Sequence, residues 1–327
     1  MMSRLLIRTE ASNAVGMGHF MRCFAIAEEA RARRVVTHVL IDHISEAVRR
    51  RCRHISAFVD AVMPFGEDID QLKAFVLPGD WLLIDSYKAT EGYIAALHQV
   101  ARVAVIDDLN ALDRYDCDLI VNAAQSASRD AYAAKSDAKL LLGADYALIR
   151  REFRKPGVLR FPGSAVGLMF GGSDPRRLTG GCAQMLRAAM PDTRLVIVAG
   201  PAHIHVDELR ALAVADPLME LHVDPPSVAA VLAGCDLVLT AAGGSVGEMA
   251  ALGLAALVLV LYDNQKAALE QCPFPVIDAR QDLPADLGAR AKAIIDDRAG
   301  LRAIAEKAHR IVDGLGASRI VEVLFGA

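Results

Sequence analysis

Short, predominantly apolar segments that alternate with helical segments constrain the fold of this 327-residue chain more than any other feature. In the first half the apolar segments fall at residues 4–8, 35–41, 57–62, 81–85, 102–107 and 119–122, and in the second half at 165–170, 194–199, 219–223, 237–240 and 256–261. Apolar strands that alternate with helices pair in parallel and are covered on both faces. The pattern therefore predicts an α/β protein with two Rossmann-like, doubly wound parallel sheets, one in each half.

Residues 150–164 interrupt this alternation with a charged segment that holds two Pro-Gly pairs. Such a segment is typical of an interdomain linker, and a long surface loop within one domain is the alternative. We place one domain at 1–155 and a second at 164–327. The apolar-periodic segment at 320–325 belongs to the second, with a return onto the first domain left open. Ligands of such sheets bind beyond the carboxyl ends of the strands, so we expect the site in a cleft between the halves.

Composition limits the classes of partner. The formal net charge is −4, so no overall basic field exists to attract nucleic acid. The longest apolar run covers residues 250–262, whereas a membrane-spanning helix needs about 20 apolar residues. The six cysteines form no Cys-x-x-Cys motif, and the chain opens without a signal-peptide pattern. We therefore expect a cytoplasmic protein that is not integral to a membrane, with its oligomeric state left open.

The turn after the first apolar segment contains Gly16, Gly18 and His19. Glycines at a helix start let backbone N–H groups approach a ligand, and the helix N-terminus favours an anion. Because residue 21 is Met21, the turn is not a complete dinucleotide fingerprint. The titration range of histidine suits a general base, and the helix dipole favours the neutral form of His19. A capping or core histidine is the alternative.

Two glycine-rich turns in the second half predict a phosphate site. Gly171 and Gly172 precede Ser173-Asp174-Pro175, which is either a phosphate-approach loop or a helix start capped by Ser173 or Asp174. At the next turn Gly243, Gly244 and Ser245 can present N–H and hydroxyl groups to a phosphate, and Glu248 can accept the hydroxyls of a ribose. The alternative is a capping box formed by Ser245 and Glu248.

Three further polar groups follow apolar segments. Asp263-Asn264-Gln265 can grip sugar hydroxyls or phosphate, and an Asx turn is the alternative. Asp85-Ser86-Tyr87 and Asp107-Asp108 also end strands, but their spacing does not favour a metal. His203-x-His205 is a metal pair by spacing alone, and we interpret it as an exposed loop. We expect no metal and no cofactor.

These motifs together resemble the UDP-sugar hydrolases of pseudaminic acid biosynthesis. The resemblance is carried by residues 7–12, 16–19, 21–23, 84–87, 106–109, 117–120, 143–153 and 170–174, with the turn at 243–248 and Asp263-Asn264-Gln265. It extends over nearly the whole chain. That family is similar in fold to the peptidoglycan N-acetylglucosaminyltransferase, so the resemblance implies a GT-B fold.

The resemblance also implies roles for particular residues. His19 would be the base for an attacking water, and Tyr87 and Asn264 would line the sugar site, with Gly16, Gly18, Arg22 and Gln265 as further substrate-binding residues. UDP would lie on Gly171, Gly172, Gly243, Gly244 and Ser245, with Glu248 on the ribose. The implied reaction is metal-independent hydrolysis of UDP-2,4-diacetamido-2,4,6-trideoxy-β-L-altropyranose, with inversion at the anomeric carbon.

The chain departs from the family pattern at Glu10, Ser86 and Val246-Gly247, which the resemblance places near the sugar. Two other functions stay open. The first is a glycosyltransferase of the same fold, in which an acceptor hydroxyl replaces water. The second is a nucleotide-sugar-binding protein without catalysis, against which His19 at a helix start argues.

Overall fold

The computed structural model describes residues 3–11, 17–124, 126–154 and 165–326, without the side chain of Asn264. The segment 12–16, which includes Gly16, and most of the proposed linker at 150–164 therefore lie outside the described residues. The chain forms two compact units, one of Met1–Arg151 with the segment from Leu315 onward, and one of Glu152–Gly314.

Unit 1 contains a parallel sheet of seven strands in the described residues, ordered β3-β2-β1-β4-β5-β6-β7. Its strands are β1 (Leu5–Thr9), β2 (Thr37–Ile41), β3 (Phe58–Ala61), β4 (Trp81–Asp85), β5 (Arg102–Ile106), β6 (Leu119–Asn122) and β7 (Lys139–Leu142). Its helices are α1 (Gly18–Ala32), α2 (Glu46–His54), α3 (Ile69–Phe75), α4 (Glu91–His98), α5 (Arg129–Ala133) and, from the end of the chain, α13 (Gly316–Phe325).

Unit 2 contains a parallel sheet of six strands in the described residues, ordered β10-β9-β8-β11-β12-β13. The strands are β8 (Ala165–Met169), β9 (Arg194–Ala199), β10 (Met219–Val223), β11 (Leu237–Ala241), β12 (Ala255–Val260) and β13 (Val276–Asp278). The helices are α6 (Leu178–Ala189), α7 (Val206–Ala215), α8 (Val228–Leu232), α9 (Gly244–Leu252), α10 (Ala268–Gln271), α11 (Leu287–Asp296) and α12 (Arg298–Ile311).

Each sheet is covered on both faces, as the apolar strands require. In β1, Leu5 and Ile7 pack with Ile26 of α1 and Ile320 of α13, whereas Leu6 packs on the opposite face with residues of α3 and α4. Every position of β1 is buried. The sequence prediction of two parallel α/β sheets is confirmed, although the short edge strands β7 and β13 and the short helices α5, α8 and α10 were not predicted.

Strand order determines where ligands can bind. In unit 1 the chain runs outward in one direction from β1 to β2 and in the other direction from β4 to β5, so the order reverses between β1 and β4. The same reversal in unit 2 lies between β8 and β11. Ligands of open parallel sheets bind beyond the carboxyl ends of strands at such reversals. None of the described helices is long and apolar enough to cross a bilayer.

Candidate functional site

The carboxyl ends of β1 and β4 bring His19 onto Asp85. His19 is the second residue of α1, and its Nδ1 lies 2.8 Å from Oδ1 of Asp85, the last residue of β4. Both side chains are buried, and Asp85 is fully so. Because a carboxylate only accepts, Nδ1 of His19 carries the proton and donates it, which leaves Nε2 as the basic nitrogen.

Three residues on one face of α1 hold the Asp85 carboxylate. His19, Arg22 and Cys23 are spaced at i, i+3 and i+4, which places them side by side on a helix. The Arg22 Nε donates to Oδ2 of Asp85 at 2.6 Å, and the Cys23 thiol donates to the same oxygen at 3.3 Å. Arg22 was expected to bind substrate, but the structure places its guanidinium on this carboxylate.

Electrostatics keep Asp85 ionised although it is buried. Burial raises the pKa of Asp85, but the charge and hydrogen bonds of Arg22, with the hydrogen bond from His19, outweigh it and hold the pKa below its usual range. Burial, and then the charge of Asp85, raises the pKa of the Cys23 thiol well above its ordinary value, so the thiol stays protonated as a donor. The arrangement therefore presents one imidazole, oriented by a fixed anion.

Tyr87 extends this arrangement from the loop after β4. Its ring meets the His19 ring edge-on, with centroids 4.7 Å apart, and its hydroxyl donates to Oδ2 of Asp108 at 3.1 Å. Asp108 also pairs with Arg22, which closes a ring of five side chains. Burial, and then the charge of Asp108, raises the pKa of Tyr87 to about 12, so the phenol stays a donor. More than half of Tyr87 is exposed, which leaves a ring face for a ligand.

Sequence reasoning missed the roles of Asp85 and Asp108. Both were considered only as metal ligands, and the described residues contain no group of three His, Cys, Asp or Glu side chains that could hold a metal ion. The sequence feature that points to Asp85 is the spacing of His19, Arg22 and Cys23. This spacing places three hydrogen-bond donors on one helix face, for which an acidic side chain is a suitable partner. Gly18 is exposed beside this face, and a Cβ built on it would have no atom within 4 Å. Gly16 lies outside the described residues.

In unit 2 the two predicted nucleotide-binding turns and the predicted substrate-binding turn at residues 263–265 follow adjacent strands. Gly171 and Gly172 follow β8, Gly243 and Gly244 follow β11, and Gln265 follows β12. Gly243 and Gly244 are exposed at the start of α9, with no atom within 4 Å of a Cβ built on either. The turns thus share one edge of the sheet at the reversal of strand order.

Hydrogen bonds within α9 correct two expectations for this turn. Gly243, and not Ser245, is the N-cap, so the capping-box alternative is wrong. The Gly243 N–H already donates to the Ala241 carbonyl at 2.9 Å. The Ser245 Oγ lies 2.8 Å from Thr240 Oγ1 and 3.2 Å from the Ala241 carbonyl oxygen, so its proton is used internally. Donors for a phosphate are then the N–H groups of Gly244 and Ser245, for which the described part of the chain shows no acceptor.

The remaining predicted residues of unit 2 are placed as follows. Glu248 is half-buried, one turn into α9. The Gln265 Oε1 accepts from the Leu261 N–H at 2.8 Å, which leaves only its amide N–H groups for a ligand. Asn264 lies in a short 3-10 helix, Asp263–Gln265, and its side chain is outside the described residues.

At the turn after β8 the Asp174 side chain caps the start of the helix, as one of the two expected forms has it, although Asp174 is not the N-cap residue itself. Helix α6 begins at Leu178 rather than directly after Pro175, and its N-cap is Arg177. Asp174 is buried and accepts from the N–H groups of Leu178 and Thr179 at 3.0 and 2.8 Å. This carboxylate occupies the start of α6, because it satisfies donors that a phosphate would otherwise bind. Gly171 and Gly172 remain part of the turn.

The sequence interpretation of residues 203–205 as an exposed loop is wrong for His203. Its side chain is buried, with Nε2 3.5 Å from Oδ2 of Asp174 and with Nδ1 accepting the His205 N–H at 3.3 Å. It borders a cavity of about 480 Å³ between α6 and α7. His203 therefore packs into unit 2, whereas His205 is partly exposed.

Comparison with known proteins gives the fold and leaves the activity open. No family model matches the chain. An uncharacterized protein of Methanocaldococcus jannaschii is 24% identical over 277 residues, which are 80% of this chain and 56% of that protein. The chain therefore spans a little over half the length of this curated relative.

Solved structures match nearly the whole chain. MurG of Acinetobacter baumannii aligns with a TM-score of 0.63 at 13% identity, over 98% of this chain and 99% of that one. UDP-GlcNAc 2-epimerase of Neisseria meningitidis, bound to UDP-GlcNAc, aligns with a TM-score of 0.63 at 14% identity, over 99% and 100%. CalG4, the calicheamicin glycosyltransferase, aligns at 0.59 and 14%, over 100% and 99%. The chain shares their two-unit GT-B fold, which confirms the fold expected from the sequence.

Proposed function

We propose that this protein hydrolyses a UDP-linked sugar, with unit 2 binding UDP and unit 1 supplying the base. The observation that carries the proposal is the His19–Asp85 pair, in which a buried anion orients an imidazole whose Nε2 has no hydrogen-bond partner among the described residues. The same pairing of a base with an orienting carboxylate recurs in hydrolytic enzymes. The sugar that the sequence resemblance favours is a diacetamido-trideoxyhexose, and two proteins of this fold have been solved with UDP or UDP-GlcNAc bound.

The proposed chemistry gives each of these groups one role. Water, deprotonated by Nε2 of His19, attacks the anomeric carbon, and the bond from that carbon to the UDP oxygen breaks. The electron pair leaves with UDP, whose added charge is stabilised by the N–H groups of Gly244 and Ser245 at the start of α9. The water proton rests on His19, and attack opposite the leaving group inverts the anomeric carbon. UDP leaves readily as an anion, so no carboxylic acid is needed to protonate it.

The test is UDP release from a UDP-diacetamido-trideoxyhexose without an acceptor. We expect release by the wild-type protein, and a fall in kcat of about 10²- to 10⁴-fold in His19→Ala, because a general base contributes that range. Binding of UDP to His19→Ala, measured by titration calorimetry, should match the wild type. A His19→Ala protein that loses UDP affinity along with turnover would contradict a chemical role for His19.

The glycosyltransferase alternative is separated by the same assay. Nε2 of His19 can deprotonate an acceptor hydroxyl as well as water. Release of UDP only after an acceptor is added would identify a transferase and would overturn hydrolysis. Binding of UDP without any release under either condition would indicate a binding protein.

A further inference from the structure

A second polar cluster lies where β1 and β4 end, and the proposed mechanism does not use it. Thr9 and Asp85 pair in register at the ends of these adjacent strands, so Glu10 and Ser86 are the next residue on each strand. Both oxygens of the Glu10 carboxylate are bonded, one to the Lys88 ammonium and one to the Ser86 hydroxyl. The Ser86 hydroxyl also accepts the Lys88 N–H at 3.0 Å. We call these three residues the Glu10 cluster.

The cluster combines a buried anion with an exposed cation. Glu10 is 4% exposed, whereas the Lys88 side chain is 58% exposed. Burial of an unpaired carboxylate destabilises the folded protein, and an ion pair with an exposed lysine stabilises it only slightly. Glu10 does, however, fix the position of the ammonium at the reversal of strand order. The other N–H donors of the Lys88 ammonium have no acceptor among the described residues, and the ammonium is open to solvent.

The cluster is continuous with the His19–Asp85 pair. Tyr87 lies between Ser86 and Lys88 in the chain, and its ring contacts His19 while its hydroxyl reaches Asp108. A ligand against the exposed ring of Tyr87 would contact a side chain that meets His19 and whose two neighbours in the chain, Ser86 and Lys88, belong to the Glu10 cluster. The positions flagged in the sequence as departures near the sugar, Glu10 and Ser86, are thus in direct contact.

We propose that the Glu10 cluster determines sugar specificity, with Lys88 donating to an uncharged oxygen acceptor of the sugar, such as an acylamide carbonyl or a hydroxyl. This inference rests on the proposed function. The charges of Glu10 and Lys88 cancel, so the cluster does not attract a sugar carboxylate as a lone lysine would. An ammonium that keeps free donors still gives a charge-assisted hydrogen bond to a neutral oxygen. The expected class is a neutral, oxygen-bearing sugar, and uronic acids are excluded.

The experiment measures how much the sugar increases the affinity of the protein over that for UDP alone. Calorimetry gives the Kd of UDP, of UDP-N-acetylglucosamine, of a UDP-diacetamido-trideoxyhexose and of UDP-glucuronate for the wild type, Lys88→Met and Lys88→Arg, each carrying His19→Ala so that the sugar substrate is not hydrolysed during the titration. We expect the acetamido sugars to bind more tightly than UDP and than UDP-glucuronate in the wild type. Lys88→Met should weaken the acetamido sugars about tenfold and leave UDP unchanged, because one charge-assisted hydrogen bond is lost. Lys88→Arg should restore part of the effect.

Two controls keep the result decisive. Glu10→Gln/Lys88→Met removes the buried charge together with its partner, so loss of sugar affinity in this folded double variant is not an unfolding effect. Lys292→Met removes another lysine of a Lys–Asp pair, far along the chain in α11, and should change nothing. Equal sugar affinity in Lys88→Met and the wild type would overturn the specificity role while UDP binding still supports the proposed function. A wild type that binds no UDP would overturn both.

Discussion

At the residue scale, the chemistry depends on which nitrogen of His19 carries the proton. Asp85 lies on Nδ1 and is itself held by Arg22, whose Nη2 lies 3.1 Å from the same nitrogen, so two neighbours set the orientation of the imidazole. His38 makes a similar contact, with Nδ1 2.8 Å from Oδ2 of Asp60, but on β2 and β3 and away from Asp85. A His–Asp pair is therefore not sufficient by itself, and its place at the reversal of strand order makes His19 the candidate base.

Asp85→Asn should lower kcat by about 100-fold or more. The amide can donate to Nδ1 and so move the proton of His19 to Nε2, which removes the base. Steady-state UDP release measures the effect, and Asp60→Asn is the matched control, which should retain turnover. An Asp85→Asn protein with wild-type kcat would contradict the orienting role.

The same variant has a signature in acid stability. The pKa of Asp85 is lowered in the folded protein, so its ionised form contributes stability above the ordinary value of about 3.9, and this contribution is lost as the pH falls through the folded pKa. Urea denaturation at pH 5 and pH 3 should show a smaller loss of stability in Asp85→Asn than in the wild type. An equal loss would show that Asp85 is not held ionised by Arg22.

At the element scale, packing between helices tolerates a side chain at some glycines and excludes it at others. A Cβ built on Gly288 of α11 would lie 2.4 Å from the Met185 carbonyl oxygen of α6, whereas a Cβ on Gly180 of α6 would meet Leu212 at 3.8 Å. The two helices pack closely because Gly288 has no side chain. Gly180 has room for one.

Gly288→Ala should destabilise the protein by roughly 1–3 kcal/mol, because the backbone of α6 must move. Gly180→Ala is the matched control and should be neutral or stabilise by up to about 1 kcal/mol, since alanine is the better helix former. Urea denaturation followed by circular dichroism measures both. A Gly288→Ala protein as stable as Gly180→Ala would show that α6 and α11 do not pack this closely.

At the scale of the whole molecule, the end of the chain completes the unit that its beginning forms. Helix α13 packs on α1, with Ile320 and Val321 fully buried, and the Leu324 carbonyl accepts from Nε1 of Trp81 at 2.5 Å. Trp81 is the single tryptophan of the sequence, so its fluorescence reports on unit 1.

Ile320→Ala should lower the stability seen by Trp81 fluorescence by about 2–5 kcal/mol, because it leaves a cavity in the core of unit 1. Glu322→Ala changes an exposed residue on the same helix and should stay within about 0.5 kcal/mol of the wild type. Denaturation in urea at constant pH measures both. Similar transitions in the two variants would mean that α13 is not part of the core of unit 1.

The sequence by itself determined the fold class and the loops that carry polar groups. Apolar strands such as residues 81–85 need cover on both faces, and this local pattern predicts two parallel sheets without knowledge of their strand order. It also located His19 and the turn at Gly243 and Gly244, because strand ends and glycines are visible along the chain. Edge strands such as β7 were missed because they are short and partly exposed, so their pattern is weak.

Only the tertiary structure decided which groups act together. Asp85 is 66 residues from His19, and they meet because β4 lies beside β1 in the sheet. Strand order depends on long-range packing, which a local pattern does not encode. The ion pair between Lys88 and Glu10 and the burial of His203 have the same explanation. Local sequence places a residue at the end of a strand, and the packing of distant segments determines what its side chain contacts.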